Sequence, residues 1–135
     1  SVMGQNETLR VALDMTEEWD KATDGASGLT MGCVVVRTEF VQQNKEALDL
    51  FLDEYERSVQ TVTSAEGLEH AAQLAEQYNI VKAPVARKAI PACNIVFVQG
   101  EQMQQIAGGF LEVLYQANPK SVGGKLPDAN FYYNR

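Results

Sequence analysis

The sequence predicts an α/β fold, with a small sheet flanked by helices. Two observations predict it. Residues 31–37 carry Val34, Val35 and Val36 in an unbroken apolar run, the pattern of a strand buried on both faces. Residues 48–62 and 103–114 instead repeat their apolar side chains at helical spacing. The 135-residue length suits one compact domain.

The elements follow in order. Leu9-Arg10-Val11-Ala12-Leu13 alternates enough for a short strand. Asp14 and Thr16 offer capping side chains, and Glu17, Glu18 and Asp20 favour a helix start beside them. Asp24-Gly25-Ala26-Ser27-Gly28 is a loop, since nothing in it can pack. The valine strand comes next. A long helix then buries Leu48, Phe51, Leu52, Tyr55, Val59 and Val62, with Asn44 as its cap. A second long helix spans 65–78 on Leu68, Ala71, Ala72, Ala75 and Tyr78. Pro84 and Pro91 bracket a shorter one over 85–90. Residues 94–98 read as a strand or extended segment. The last helix covers 101–117, turns Met103, Ile106, Ala107, Phe110, Leu111 and Leu114 inward, and stops at Asn118-Pro119. The tail, 121–135, is coil ending in Phe131-Tyr132-Tyr133. Three strands make only a small sheet with two open edges, so the chain reads as part of a larger α/β protein.

Hydrophobic residues at 45% and charged residues at 21% are ordinary for a soluble globular protein, which argues against disorder. The net charge is −7, from 11 basic and 18 acidic residues. Such a chain gains nothing from a phosphate backbone and is repelled by anionic lipid, so nucleic acid is not an expected partner. No apolar run approaches the roughly 20 residues that span a bilayer. The opening Ser1-Val2-Met3-Gly4-Gln5-Asn6 lacks the basic start and apolar stretch of a signal peptide. Cys33 and Cys93 sit beside β-branched residues and are expected as two unbridged buried thiols, although a bridge stays open. With one histidine, His70, and no ligand cluster, no metal site is expected.

Several motifs carry a bland reading that outweighs the sharp one. Gly123-Gly124-Lys125 invites a phosphate loop, but Pro119 stands where the first glycine belongs and Leu126 where Ser or Thr would bind magnesium, so a glycine turn is favoured. Gly108-Gly109, inside the last helix, marks close packing rather than a dinucleotide fingerprint. Glu17, Glu18, Asp20 and Asp24 can do acid–base chemistry, yet match a solvated helix start better. Trp19, the only tryptophan, either packs structurally or lines a ligand cleft, with packing favoured. His70 has no nucleophile or acid at a recognisable spacing. Asn6-Glu7-Thr8 matches a glycosylation sequon of the kind that occurs by chance. The terminal aromatics pin the tail to the body more readily than they stack on a ligand.

The order of segments says more than any one of them. Residues 9–19 lead to Gly32-Cys33-Val34-Val35-Val36-Arg37-Thr38-Glu39-Phe40-Val41, then Phe51-Leu52-Asp53-Glu54-Tyr55 and Ala89-Ile90-Pro91-Ala92-Cys93-Asn94-Ile95-Val96-Phe97. Asn118-Pro119-Lys120-Ser121-Val122-Gly123-Gly124-Lys125-Leu126-Pro127 and Phe131-Tyr132-Tyr133 close the chain. This series resembles the C-terminal part of bacterial ABC-transporter solute-binding proteins of the nitrate, sulfonate, taurine and thiamine-precursor group.

The resemblance implies part of a three-layer lobe of the type II periplasmic-binding-protein fold, with a partial sheet between helices. Residues 1–30 would end the second lobe and approach the hinge. Residues 31–135 would form the C-terminal part of the first lobe. The N-terminal half and any lipid-anchored leader would lie outside the chain. The implied activity is capture of a small solute in an interlobe cleft and its delivery to an ABC permease, outside the cytoplasm, with neither enzyme activity nor a cofactor. Trp19, Thr30, Met31 and Gly32 are the expected ligand-binding residues, at the loop leading into the strand 31–37, which the resemblance makes the return crossing between the lobes. Two alternatives remain: a cytoplasmic ligand-sensing effector domain of the same fold, and an enzyme uniting the acidic cluster with His70. An incomplete sheet leaves apolar surface uncovered, so pairing with a second copy is expected.

Overall fold

The structure is a computed structural model and describes residues 6–135. The first five residues, which belong to the segment read above for a signal peptide, lie outside the described residues. Six α-helices occur among the described residues: α1 (Met15–Thr23), α2 (Thr38–Gln43), α3 (Lys45–Thr63), α4 (Gly67–Gln77), α5 (Ala83–Ala89) and α6 (Gly100–Ala117). Short 3₁₀ turns follow at Ile90–Ala92, Pro119–Val122 and Ala129–Phe131.

The expected α/β fold is corrected. Helix, 3₁₀ turns included, makes up 62% of the described residues, and no strand occurs among them. The three runs read as strands, 9–13, 31–37 and 94–98, are irregular throughout. The cause lies in where hydrogen-bond partners come from. A helix satisfies each N–H from a carbonyl four residues back, whereas a strand needs a partner distant in sequence. The three runs are short, they stand far apart along the chain, and no ladder hydrogen bond joins them among the described residues. Val11, Met31, Val35 and Val96 are exposed as a result.

The chain divides into two compact units. One is Val36–Phe97, which holds α2 to α5. Its core is built from small side chains: Ala72 of α4 and Ala83 and Ala86 of α5 are buried, with Ala75 and Ile90 packed against them. Each methyl-sized group contributes only about 0.8 kcal/mol, so polar contacts carry weight here. The Glu76 carboxylate accepts from the Ala83 N–H at 3.0 Å and from Lys82 Nζ at 2.9 Å, tying the end of α4 to the start of α5. Glu69 accepts two hydrogen bonds from the Arg87 guanidinium, at 2.6 and 2.7 Å. Between α3 and α4, Ser64 Oγ accepts from the Gly67 N–H at 2.9 Å and donates to the Thr61 carbonyl at 2.8 Å. The turn is so tight that a β-carbon on Gly67 would run into the Thr61 carbonyl oxygen.

Leu48 and Val59 of α3 are buried as the helical spacing predicts. Phe51 stays exposed, stacked on Tyr55 with ring centroids 5.9 Å apart, and Tyr55 meets the edge of Phe97 at 5.7 Å. Pro84 lies inside the first turn of α5, where its missing N–H costs nothing, rather than ahead of the helix.

The other unit joins the described residues from 6 to 35 with Val98–Arg135. It holds α1, the loop after it, α6 and the tail. The apolar stripe of α6, Met103, Ile106, Phe110, Leu111 and Leu114 among it, is half-buried as expected.

Candidate functional site

The loop that carries the expected ligand-binding residues is held by α1 and α6. Asp14 starts α1, its Oδ1 accepting from the N–H groups of Thr16 and Glu17 at 2.9 and 3.3 Å. Asp24 and Gly25 take left-handed backbone angles, φ 51° and 71°, and turn the chain back on itself. That return brings Ser27 under Trp19. The indole Nε1 donates to both the carbonyl and the Oγ of Ser27, each at 3.1 Å. The indole ring lies against Phe110 of α6, with centroids 5.2 Å apart and planes 41° apart.

α6 has a gap that receives this loop. A β-carbon on Gly109 would stand 2.6 Å from Ser27 Cβ, and one on Gly28 would stand 3.2 Å from Ile106 Cγ2. The close-packing reading of Gly108-Gly109 therefore fits, and Ser27, which is buried, is what packs there.

Of the four expected ligand-binding residues, Trp19 is half-buried and its indole N–H is used by Ser27. Thr30 is half-buried, its hydroxyl 3.4 Å from the Gly28 carbonyl. Met31 is 90% exposed, and Gly32 has open space where a side chain would project. Thus Trp19 holds the loop, whereas Thr30, Met31 and Gly32 follow the anchored Ser27 outward. The structure does not gather the four around one cavity.

A hollow of about 230 Å³ lies elsewhere in the unit, between α6 and the tail, lined by Gln104, Gly108, Leu126, Asp128 and Tyr132 among others. Gln104 and Gly108 stand one turn apart, and Gly108 leaves room for the Tyr132 hydroxyl, 3.5 Å from its would-be β-carbon. Arg135 Nε donates to Gln99 Oε1 at 2.8 Å, so the tail is pinned to this helix at its last residue as well. The terminal aromatics and the glycine pair were the sequence signals for this contact. Nothing in the spacing of Gln104 and Asp128 announced that they share a hollow.

The chain matches no known family model, no curated protein and no solved structure.

The remaining motifs resolve on geometry. Gly123 and Gly124 have φ of 79° and 87°, and their N–H groups donate to the carbonyls of Lys120 and Pro119. They form a turn whose N–H groups are already used, rather than a phosphate cradle. Glu18 pairs with Lys21 at 2.7 Å on the exposed side of α1. His70 is exposed on α4, in the other unit. Cys33 and Cys93 are unbridged as expected, but both are exposed, which corrects the expectation of burial. They share the fate of the irregular runs around them. Among the described residues no cluster of His, Cys, Asp and Glu could hold a metal ion, and no helix is long and apolar enough to cross a membrane.

Proposed function

We propose that the chain is part of the solute-binding component of an ABC importer. It captures a small solute by non-covalent contacts outside the cytoplasm and hands it to a membrane permease. The observation that carries this reading is the ordered series of segments from Leu9 to Tyr133, whose sequence resembles that family over nearly the whole chain. The geometry supports a division of labour within the expected site. Trp19 is a positioning residue that acts through Ser27, and Thr30, Met31 and Gly32 are the contact residues. Sites that enclose a small ligand generally measure about 300–1,000 Å³. The two hollows on α6, of about 230 and 450 Å³, are both open and neither is lined by Trp19, Thr30, Met31 or Gly32, so the proposed contact residues sit on open surface rather than in a closed pocket.

The test is a thermal-shift and calorimetry screen of the complete gene product against sulfonates, nitrate, aminopyrimidines, flavins and nucleobases. One solute is expected to raise the melting temperature and bind one-to-one. Thr30→Ala and Met31→Ala should then weaken binding without lowering the melting temperature of the unliganded protein. A folded protein that answers to no solute in the panel would overturn the reading. Binding indifferent to both substitutions would leave the importer reading in place and remove the site assignment.

A further inference from the structure

We propose that the hollow between α6 and the tail is a binding site for a small organic cation with N–H donors, an alkylguanidinium or alkylammonium. All of its lining residues belong to one compact unit. Three side chains with spare hydrogen-bonding capacity line it: Gln104, Asp128 and Tyr132. Gln104 and Tyr132 are half-buried, yet neither the Gln104 amide nor the Tyr132 hydroxyl has a hydrogen-bond partner among the described residues. Asp128 Oδ1 accepts from the Asn130 N–H at 2.9 Å, which fixes the carboxylate and leaves Oδ2 unused. Among the described residues no side-chain polar atom is buried without a partner, so these groups open into the hollow rather than lying sealed beneath it.

The walls are held in place without a ligand. Gln104 and Gly108 stand one turn apart on α6, and the glycine leaves room for the Tyr132 hydroxyl. Asp128 and Tyr132 flank one 3₁₀ turn, Ala129–Phe131, and the Tyr132 N–H donates to the Ala129 carbonyl at 3.3 Å. Arg135 ties the end of the tail to Gln99. Binding therefore does not have to order the tail.

The chemistry of the lining selects the ligand. A carboxylate only accepts hydrogen bonds, whereas the Gln104 amide and Tyr132 hydroxyl both donate and accept. Among the described residues that line the hollow, none is basic. The adjoining hollow on α6 shares Gln104 and Gly108 and adds the Glu101 carboxylate. An anion would meet two carboxylates and a net charge of −7, with no cation to receive it. A cation with N–H groups satisfies all three side chains at once. Leu126 and Pro127 form an apolar part of the wall, which suits a short alkyl stem beside the charged head. At about 230 Å³ the hollow lies below the usual range for drug-sized ligands, so its ligand is small. The site is separate from the importer reading, whose contact residues, Thr30, Met31 and Gly32, do not line it.

Titration of the 135-residue chain with ethylguanidinium chloride at constant ionic strength, followed by NMR, tests the site. Saturable shifts are expected at the Gln104 side-chain amide and the Tyr132 ring, with a Kd on the order of millimolar. Tetramethylammonium, which has the charge but no N–H, should shift neither. Asp128→Asn keeps the oxygen that caps the turn and removes the charge. It should weaken binding about two- to fivefold, as an exposed ion pair allows. Gln104→Leu should weaken it about two- to tenfold. Glu54→Gln, which removes one charge in the other unit, should leave the Kd unchanged. Unchanged amide spectra away from the hollow show that each variant is folded. The absence of saturable shifts overturns the inference. So do equal shifts with tetramethylammonium, equal weakening by Glu54→Gln, or binding indifferent to both Asp128→Asn and Gln104→Leu.

Discussion

Gly109 and Ser27 meet at a distance that admits no side chain on the glycine. A β-carbon there would stand 2.6 Å from Ser27 Cβ. Glycine inside a helix costs about 1 kcal/mol against alanine, and α6 bears that cost so that the loop carrying Thr30 to Gly32 can seat against it.

The contact yields a contrast between neighbours. Gly109→Ala regains helix propensity but forces Ser27 and the Trp19 indole above it to shift, a net loss of about 1–3 kcal/mol. Gly108→Ala meets only the Tyr132 hydroxyl at 3.5 Å, an ordinary contact, and should stabilise by up to about 1 kcal/mol. Urea or thermal unfolding of the two variants should therefore shift in opposite directions. A stabilised Gly109→Ala would show that the loop is not seated on the helix.

The same pair shows how far the sequence can be read. That Gly108-Gly109 needed a close neighbour was legible, because glycine inside a strong helical stripe has few other uses. That the neighbour was Ser27 was not, because no local rule joins residues 82 positions apart. The helices were legible for the same local reason. Leu48 and Val59 are buried where their spacing places them, and Asp14 caps α1 as its side chain suggests. Thr38–Gln43 went unread because it is only six residues long and no side chain caps it. The strands failed at the opposite limit. Three valines in a row say that the chain would pack well in a sheet, but not that a partner strand is present. Burial of Cys33 was inferred from its β-branched neighbours, and it fails because the run they belong to is exposed. The groove residues Gln104 and Asp128 were invisible because the tail's return onto α6 is a tertiary contact.

Acid should loosen the α4–α5 pair. The hydrogen bonds from Arg87 hold the Glu69 carboxyl below its ordinary pKa of 4.5, and those from Lys82 and the Ala83 N–H do the same for Glu76. Each group therefore binds a proton less readily folded than unfolded. Their contribution to stability is complete above about pH 4.5 and is lost as pH falls through the lower folded values. Both carboxylates are substantially exposed, so added salt should shrink the effect. Melting temperatures measured from neutral pH down to about pH 3 should fall below that window. The double variant Glu69→Gln, Glu76→Gln should be less stable at neutral pH and show a flatter acid limb. An unchanged slope would show that these contacts carry no pH-dependent stability.

The thiols report on the irregular runs. A cysteine in a closed core reacts with Ellman's reagent only when the fold opens, whereas an exposed one reacts in the native state. Cys33 and Cys93 are both exposed, so two equivalents should react quickly without denaturant in dilute protein. Slow reaction of both would show the runs to be buried.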